Sequence, residues 1–132
     1  MTTNLVLVVD DSADIRKIVT RLLTKNGCRV IEAESGLEAV QKAHRHRPSL
    51  IVMDINLPGI DGLEVARQLR SDPLHEDVPI IAMTAYGVGA TLYAARRAGI
   101  QRVIFKPFNL DALLQEVSSF LQPTIPLMSR FA

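Results

Sequence analysis

The chain has no tryptophan, one cysteine and no surplus of either charge, and each shortage removes a class of protein. A single thiol, Cys28, cannot close an internal disulfide, which excludes a disulfide-stapled scaffold. Fifteen Lys and Arg against fourteen Asp and Glu leave a formal charge of +1, without the broad basic footprint of a nucleic-acid binder. The longest apolar run, Leu5–Val9, falls far short of the roughly 18 residues of a membrane span, and Met1–Asn4 lacks the basic start of a signal peptide. These readings predict a soluble cytoplasmic protein with neither nucleic acid nor membrane as partner. At 132 residues the chain fits one domain that buries a continuous core without a structural metal.

What is present is an alternation of short apolar runs with longer stretches of helical period, the signature of βα units on a mostly parallel sheet. The runs predict strands at Leu5–Val9, Cys28–Ala33, Leu50–Met53, Val78–Met83 and Arg102–Phe105. A place in a strand predicts a buried, inert thiol for Cys28. Ile15, Ile18, Val19, Leu22 and Leu23 form one apolar stripe of a first helix, stopped by Gly27. Ser35-Gly36-Leu37-Glu38 is a capping-box pattern opening a second helix, which runs to about His46 before Pro48. A third helix carries Leu63, Ala66 and Leu69, a fourth Val88, Leu92 and Ala95, and a fifth starts at Asn109 with Leu110, Leu113, Leu114, Val117 and Leu121. Right-handed crossovers with helices on both faces favour strand order 2-1-3-4-5, a doubly wound, flavodoxin-like α/β fold with five parallel strands and five helices.

In that order four polar positions meet along the carboxyl edge of the sheet, where open α/β folds bind ligands: Asp10-Asp11, Asp54, Thr84 and Lys106. Two unit charges about 4 Å apart repel by roughly 4 kcal/mol at an effective dielectric near 20, so three clustered carboxylates need a cation. Lys106 supplies one positive charge, and the remaining charge of about −2 matches one Mg²⁺, a cation that takes one or two carboxylates and keeps several waters. Asp54, on the central strand, is the natural nucleophile toward phosphorus, with the metal and the ammonium neutralising the transferring oxygens.

Four motifs stand in order at strand ends: Val9-Asp10-Asp11, the run from Met53 through Asp54, Asn56, Pro58 and Gly59 to Asp61-Gly62, Met83-Thr84-Ala85, and Phe105-Lys106-Pro107-Phe108. Over about residues 4 to 122 the chain closely resembles the receiver domain of two-component response regulators, the family of the chemotaxis regulators. That family shares the 2-1-3-4-5 order, so the order is not an independent expectation. The resemblance implies that Asp54 is phosphorylated by a histidine kinase or a phosphotransfer histidine. It implies Asp11, Asp54 and the Asn56 carbonyl as direct Mg²⁺ ligands, with Asp10 acting through a bound water. Thr84 and Lys106 would each bind a phosphoryl oxygen, and small Ala85 would leave the approach open. A cis bond between Lys106 and Pro107 also follows from the family, against about 5–6% for X-Pro bonds in general. Asn56 and Tyr86 match positions that tune acyl phosphate lifetime. The face of the fourth helix, fifth strand and fifth helix is where partners would dock.

One position departs from the pattern. Three residues before the lysine, many receivers carry Tyr or Phe; here Val103 stands there, so output is expected from the loop after Thr84 rather than from a turning ring. Simpler readings accompany the others: Asp11 as a helix cap, Asn56-Leu57-Pro58-Gly59 as a turn with Pro and Gly in type II places, Arg96-Arg97 and His44-Arg45-His46-Arg47 as complements of helix dipoles, and Tyr86 and Tyr93 as semi-exposed aromatics. Residues 1–122 form the receiver in this reading. Residues 123–132, interrupted by Pro123 and Pro126, form a short tail whose default is fraying. Two rival functions remain: an aspartyl-nucleophile phosphohydrolase, opposed by Asn56 where a general acid belongs, and a receiver-like module that binds partners without phosphorylation.

Overall fold

The computed structural model describes residues 4–85 and 89–121, so Tyr86, Val88 and the 123–132 tail lie outside the described residues. Its elements are β1 (Leu5–Val9), α1 (Ala13–Lys25), β2 (Arg29–Ala33), α2 (Gly36–His46), β3 (Leu50–Asp54), α3 (Gly62–Arg70), a 3₁₀ turn (Pro73–His75), β4 (Ile80–Thr84), α4 (Gly89–Arg97), β5 (Arg102–Phe105) and α5 (Leu110–Phe120). The five strands are all parallel in the order β2-β1-β3-β4-β5, as expected.

Strand alternation divides the core in two. Leu7, Val9, Ile51, Met53, Ile80 and Ala82 point to one face, under α2, α3 and α4, where Ala39, Ala43, Val65, Ala66, Leu69 and Ala95 meet them. Val6, Val8, Leu50, Val52, Ile81 and Met83 point to the other, against Val19 and Leu23 of α1 and Leu113 and Val117 of α5. A strand covered on both sides has no polar position to spare, which is why β1, β3 and β4 read as unbroken apolar runs.

Several boundaries differ from the sequence reading for identifiable reasons. Cys28 does not open β2: its N–H bonds to the Leu23 carbonyl at 3.1 Å, finishing α1 instead of joining the sheet. The thiol is only partly buried, yet burial still raises its pKa, in keeping with an inert thiol. β4 starts at Ile80 because Val78 belongs to the turn after His75 and Pro79 has no N–H to give the ladder. Both β3 and β4 run one residue further than expected, so Asp54 and Thr84 are strand residues.

The helix starts are set by side-chain oxygens. Ser12, not Asp11, caps α1, accepting from the Ile15 N–H at 3.3 Å. Ser35 caps α2 through the Glu38 N–H at 3.2 Å, while Glu38 returns a bond to the N–H of Glu34 at 2.8 Å, one residue earlier than a standard capping box. Asp61 and Asn109 cap α3 and α5. Arg47, in the left-handed region at φ 50°, ends α2 ahead of Pro48. Ile18 is 46% exposed and Leu92 40%, so the α1 and α4 stripes are narrower than their spacing suggests.

Two glycines position the loop after β3. Gly59 has φ +76°, the value a type II turn asks of the residue after Pro58. Gly62 lies so close to the end of β3 that a Cβ there would sit 2.8 Å from both the Asp54 carbonyl oxygen and the Ile55 Cα. Backbone cannot yield as a flexible side chain does. Gly62→Ala is therefore expected to lower stability by about 1–3 kcal/mol; urea unfolding checks this, and an unchanged midpoint would contradict the packing described.

Candidate functional site

The register of the sheet brings the polar residues to one edge. Val9 is opposite Met53, Asp54 opposite Met83, and Thr84 opposite Phe105. Asp10 and Lys106 thus emerge one residue beyond the ends of β1 and β5, held there by Asp10 N–H to the Ala33 carbonyl at 3.1 Å and Lys106 N–H to the Thr84 carbonyl at 2.7 Å. The bond between Lys106 and Pro107 is cis, as the resemblance implied.

Lys106 reaches between two carboxylates that are almost wholly buried. Its ammonium donates to Asp54 Oδ2 at 2.9 Å and to Asp10 Oδ2 at 3.1 Å. The remaining oxygens accept backbone N–H groups: Asp54 Oδ1 from Asn56 at 2.8 Å and Asp10 Oδ1 from Ser12 at 2.9 Å. Arg16 adds a bond from its guanidinium to the Asp10 carbonyl at 2.7 Å and pairs with Glu32 at 3.1 Å, fixing β1 from below. Asp11 is exposed, yet one of its carboxylate oxygens lies within 4.8 Å of oxygens of both Asp10 and Asp54. Since Ser12 has the capping role, Asp11 is released for the site.

Thr84 is 1% exposed. Its hydroxyl accepts from Asn56 Nδ2 at 3.2 Å, a link between the β3 and β4 ends that sequence reasoning missed. Only the position two residues after Asp54 hinted at it. Ala85 follows, exposed and small. Val103 is half-buried against the core cluster under α4 and pairs in register with Ala82. The neighbouring ring, Phe105, is 36% exposed.

The charges are out of balance without a cation. Burial raises the Asp10 pKa and nearby Asp54 raises it further, while the Ser12 N–H and Lys106 pull it down without prevailing. Burial also pulls Lys106 down, but its hydrogen bonds to Asp54 and Asp10 more than offset this and raise its pKa above 10.5. Its stabilising contribution is thus complete below 10.5 and lost as the pH climbs through the raised value. Ionised Asp10 has the opposite sign: it opposes folding above the carboxylate range and ceases to do so once the pH falls below 3.8.

Three clustered carboxylate oxygens are hard donors, the set Mg²⁺ selects, and three carboxylates gathered against the one ammonium of Lys106 leave a formal negative charge that fits a divalent cation there. Receiver-type binding of Mg²⁺ at this acidic pocket is consistent with the residues present. In the presence of a chelator at pH 7, Asp10→Asn is expected to melt a few degrees higher than the wild type, the scale of a ~1 kcal/mol change in a domain of this size. The gap should close as the pH approaches 3.8. Circular dichroism melts measure it, and an equal or lower melting temperature at pH 7 would contradict the charge analysis.

Comparison with known proteins agrees with this geometry. Residues 6–118 match the model of the response regulator receiver domain. The response regulator MprA of Mycobacterium leprae is 39% identical over 92% of this chain, which spans about half (52%) of that protein. The polar-differentiation response regulator DivK of Brucella ovis is 34% identical over 90% of this chain and 97% of its own. Among solved structures, the chemotaxis protein CheY4 of Vibrio cholerae superposes with a TM-score of 0.86 at 31% identity, covering 91% of this chain and 100% of that one. Fold, site geometry and sequence likeness together show that the chain belongs to the response regulator receiver domain family of two-component signalling.

Proposed function

We propose that this receiver domain is a phosphorylation-switched signalling module whose acceptor is Asp54, phosphorylated in the cytoplasm by a histidine kinase or histidine phosphotransfer protein. The observation that carries the reading is the placement of Asp54: a buried carboxylate with one oxygen on the Lys106 ammonium and the other on the Asn56 N–H, at the open edge of the sheet. In the step, a carboxylate oxygen of Asp54 forms a bond to phosphorus as the donor histidine's N–P bond breaks, the electron pair leaving with the imidazole.

Asp11, Asp54 and the Asn56 carbonyl are the proposed direct Mg²⁺ ligands, with Asp10 linked through water. When bound, the metal neutralises charge on the transferring oxygens. Lys106 takes one phosphoryl oxygen and Thr84 another, the latter requiring the Thr84 hydroxyl to turn from accepting the Asn56 amide to donating to phosphate. Ala85 leaves that path open. Asn56 has no acidic proton to lend a leaving group, which argues against turnover of external phosphate esters. The module therefore acts as an acceptor that hands on a signal, by partner binding or by phosphate relay.

Two exposed apolar areas suit protein partners. Ile18, Pro107, Phe108 and Leu110, with Ile15, line a cleft beside Lys106, a place where a phosphohistidine donor would approach. Leu92, Tyr93 and Phe105 mark the α4–β5 side, the face we assign to the downstream target. There Arg97 donates to the Tyr93 hydroxyl at 3.1 Å, holding that ring outward. With Val103 in place of an aromatic, output does not require a ring to turn inward.

The absence of tryptophan makes mass spectrometry the convenient readout. Incubation with acetyl phosphate and Mg²⁺ is expected to add one phosphoryl group to the wild type and none to Asp54→Asn. No addition to the wild type would favour a module that is never phosphorylated, and repeated turnover of varied esters would favour a hydrolase. A second measurement concerns Val103: once a binding partner is captured, the parent should bind it in a phosphorylation-dependent way and Val103→Tyr should show the same dependence. A parent with no dependence would overturn the switch assigned to it.

A further inference from the structure

The run His44-Arg45-His46-Arg47 reads in sequence as a helix-dipole complement, but the fold gives its first member other company. His44, on the last turn of α2, lies with Nδ1 3.1 Å from Asp72 Oδ2, and its ring meets that of His75 edge-on with centroids 5.0 Å apart. Asp72 caps, and His75 ends, the 3₁₀ turn between α3 and β4. One nitrogen from each imidazole and one carboxylate oxygen all lie within 4.8 Å of one another. The parallel sheet puts this trio at the end opposite Asp54, since α2 and the 3₁₀ turn lead into the beginnings of β3 and β4.

We propose that His44, Asp72 and His75 form a second cation site, selective for a Zn²⁺-like transition ion rather than for Mg²⁺. Two imidazoles and one carboxylate are a donor set suited to zinc, with water completing the coordination. Zinc bonds of about 2.0–2.2 Å place tetrahedral donors about 3.3 Å apart. The His44–Asp72 pair already stands at 3.1 Å, and His44, 45% exposed, is free to swing the rest of the way.

An independent observation points to a ligand. His75 is 2% exposed, and its Nε2 is buried with no hydrogen-bond partner among the described residues. A buried imidazole nitrogen without a partner costs stability unless something meets it. Metal binding at His75 requires its neutral imidazole, so the site is expected to weaken as the pH falls.

The surrounding bonds fix the ligands as outer-sphere contacts do in metal sites. Asp72 Oδ1 accepts the Leu74 N–H at 2.9 Å, which leaves Oδ2 to face His44. Arg70 donates to the His75 carbonyl at 2.8 Å while its other nitrogens grip the Gly99 carbonyl. An ion here would tie the end of α2 to the lead-in of β4, on the helical layer that also carries α3.

The test is a titration of Zn²⁺ into the full chain with millimolar Mg²⁺ present to occupy the acidic edge. The wild type should bind one ion, and His44→Ala, a substitution at an exposed position, should bind at least about tenfold more weakly. In parallel, imidazole NMR signals of His44 and His75 should move while that of His46, two residues along the helix and on another face, stays still. Equal affinity in the two proteins, or unmoved His44 and His75 signals, would overturn the site and assign any bound zinc to the acidic edge.

Discussion

The ammonium of Lys106 between the carboxylates of Asp10 and Asp54 is the interaction on which the rest of the site depends. These three groups stand at the ends of three different strands, Asp54 and Asp10 lying 52 and 96 residues from the lysine, and the two contacts are 2.9 and 3.1 Å. Two ionised carboxylates buried side by side would otherwise repel, and the raised Asp10 shows that the lysine alone does not cancel the cost. In the proposed function, a site left with negative charge to spare would attract a divalent cation and then take a phosphoryl group. Function here follows from a deliberate imbalance that the fold is stable enough to hold.

That stability comes from the sheet. β1, β3 and β4 are buried on both faces, so their ends are fixed to within the register of the ladder. Gly62 closes the approach of α3 onto the Asp54 carbonyl, and Asn56 ties the β3 end to Thr84. Asp54 thus sits on rigid backbone, while the Thr84 hydroxyl accepts a side-chain hydrogen bond from Asn56.

Much of this was legible in the sequence because parallel strands buried on both sides advertise themselves as apolar runs, and the first polar residue after each marks the functional edge. Asp54, Thr84 and Lys106 stand out in that way, whereas the strand order rests on right-handed crossovers with helices on both faces and is shared with the family. Other features were not legible because they rest on contacts between distant segments. Nothing local distinguishes Ser12 from Asp11 as the cap of α1, and the choice matters because it leaves Asp11 for the acidic cluster. Helical spacing marks Ile18 as buried, yet among the described residues no element covers it; the spacing records which face is apolar, not whether a neighbour arrives. The same limit hid the meeting of His44 with Asp72 and His75, whose separation along the chain exceeds any local pattern.

In the proposed chemistry the carboxylate of residue 54 becomes an acyl phosphate because of the groups gathered around it. Borohydride reduction of the phosphorylated protein converts an aspartyl phosphate to homoserine, and peptide mapping then locates the change. Homoserine is expected at position 54 alone. Homoserine at Asp10 or Asp11, or none at all in protein that has gained a phosphoryl group, would contradict it.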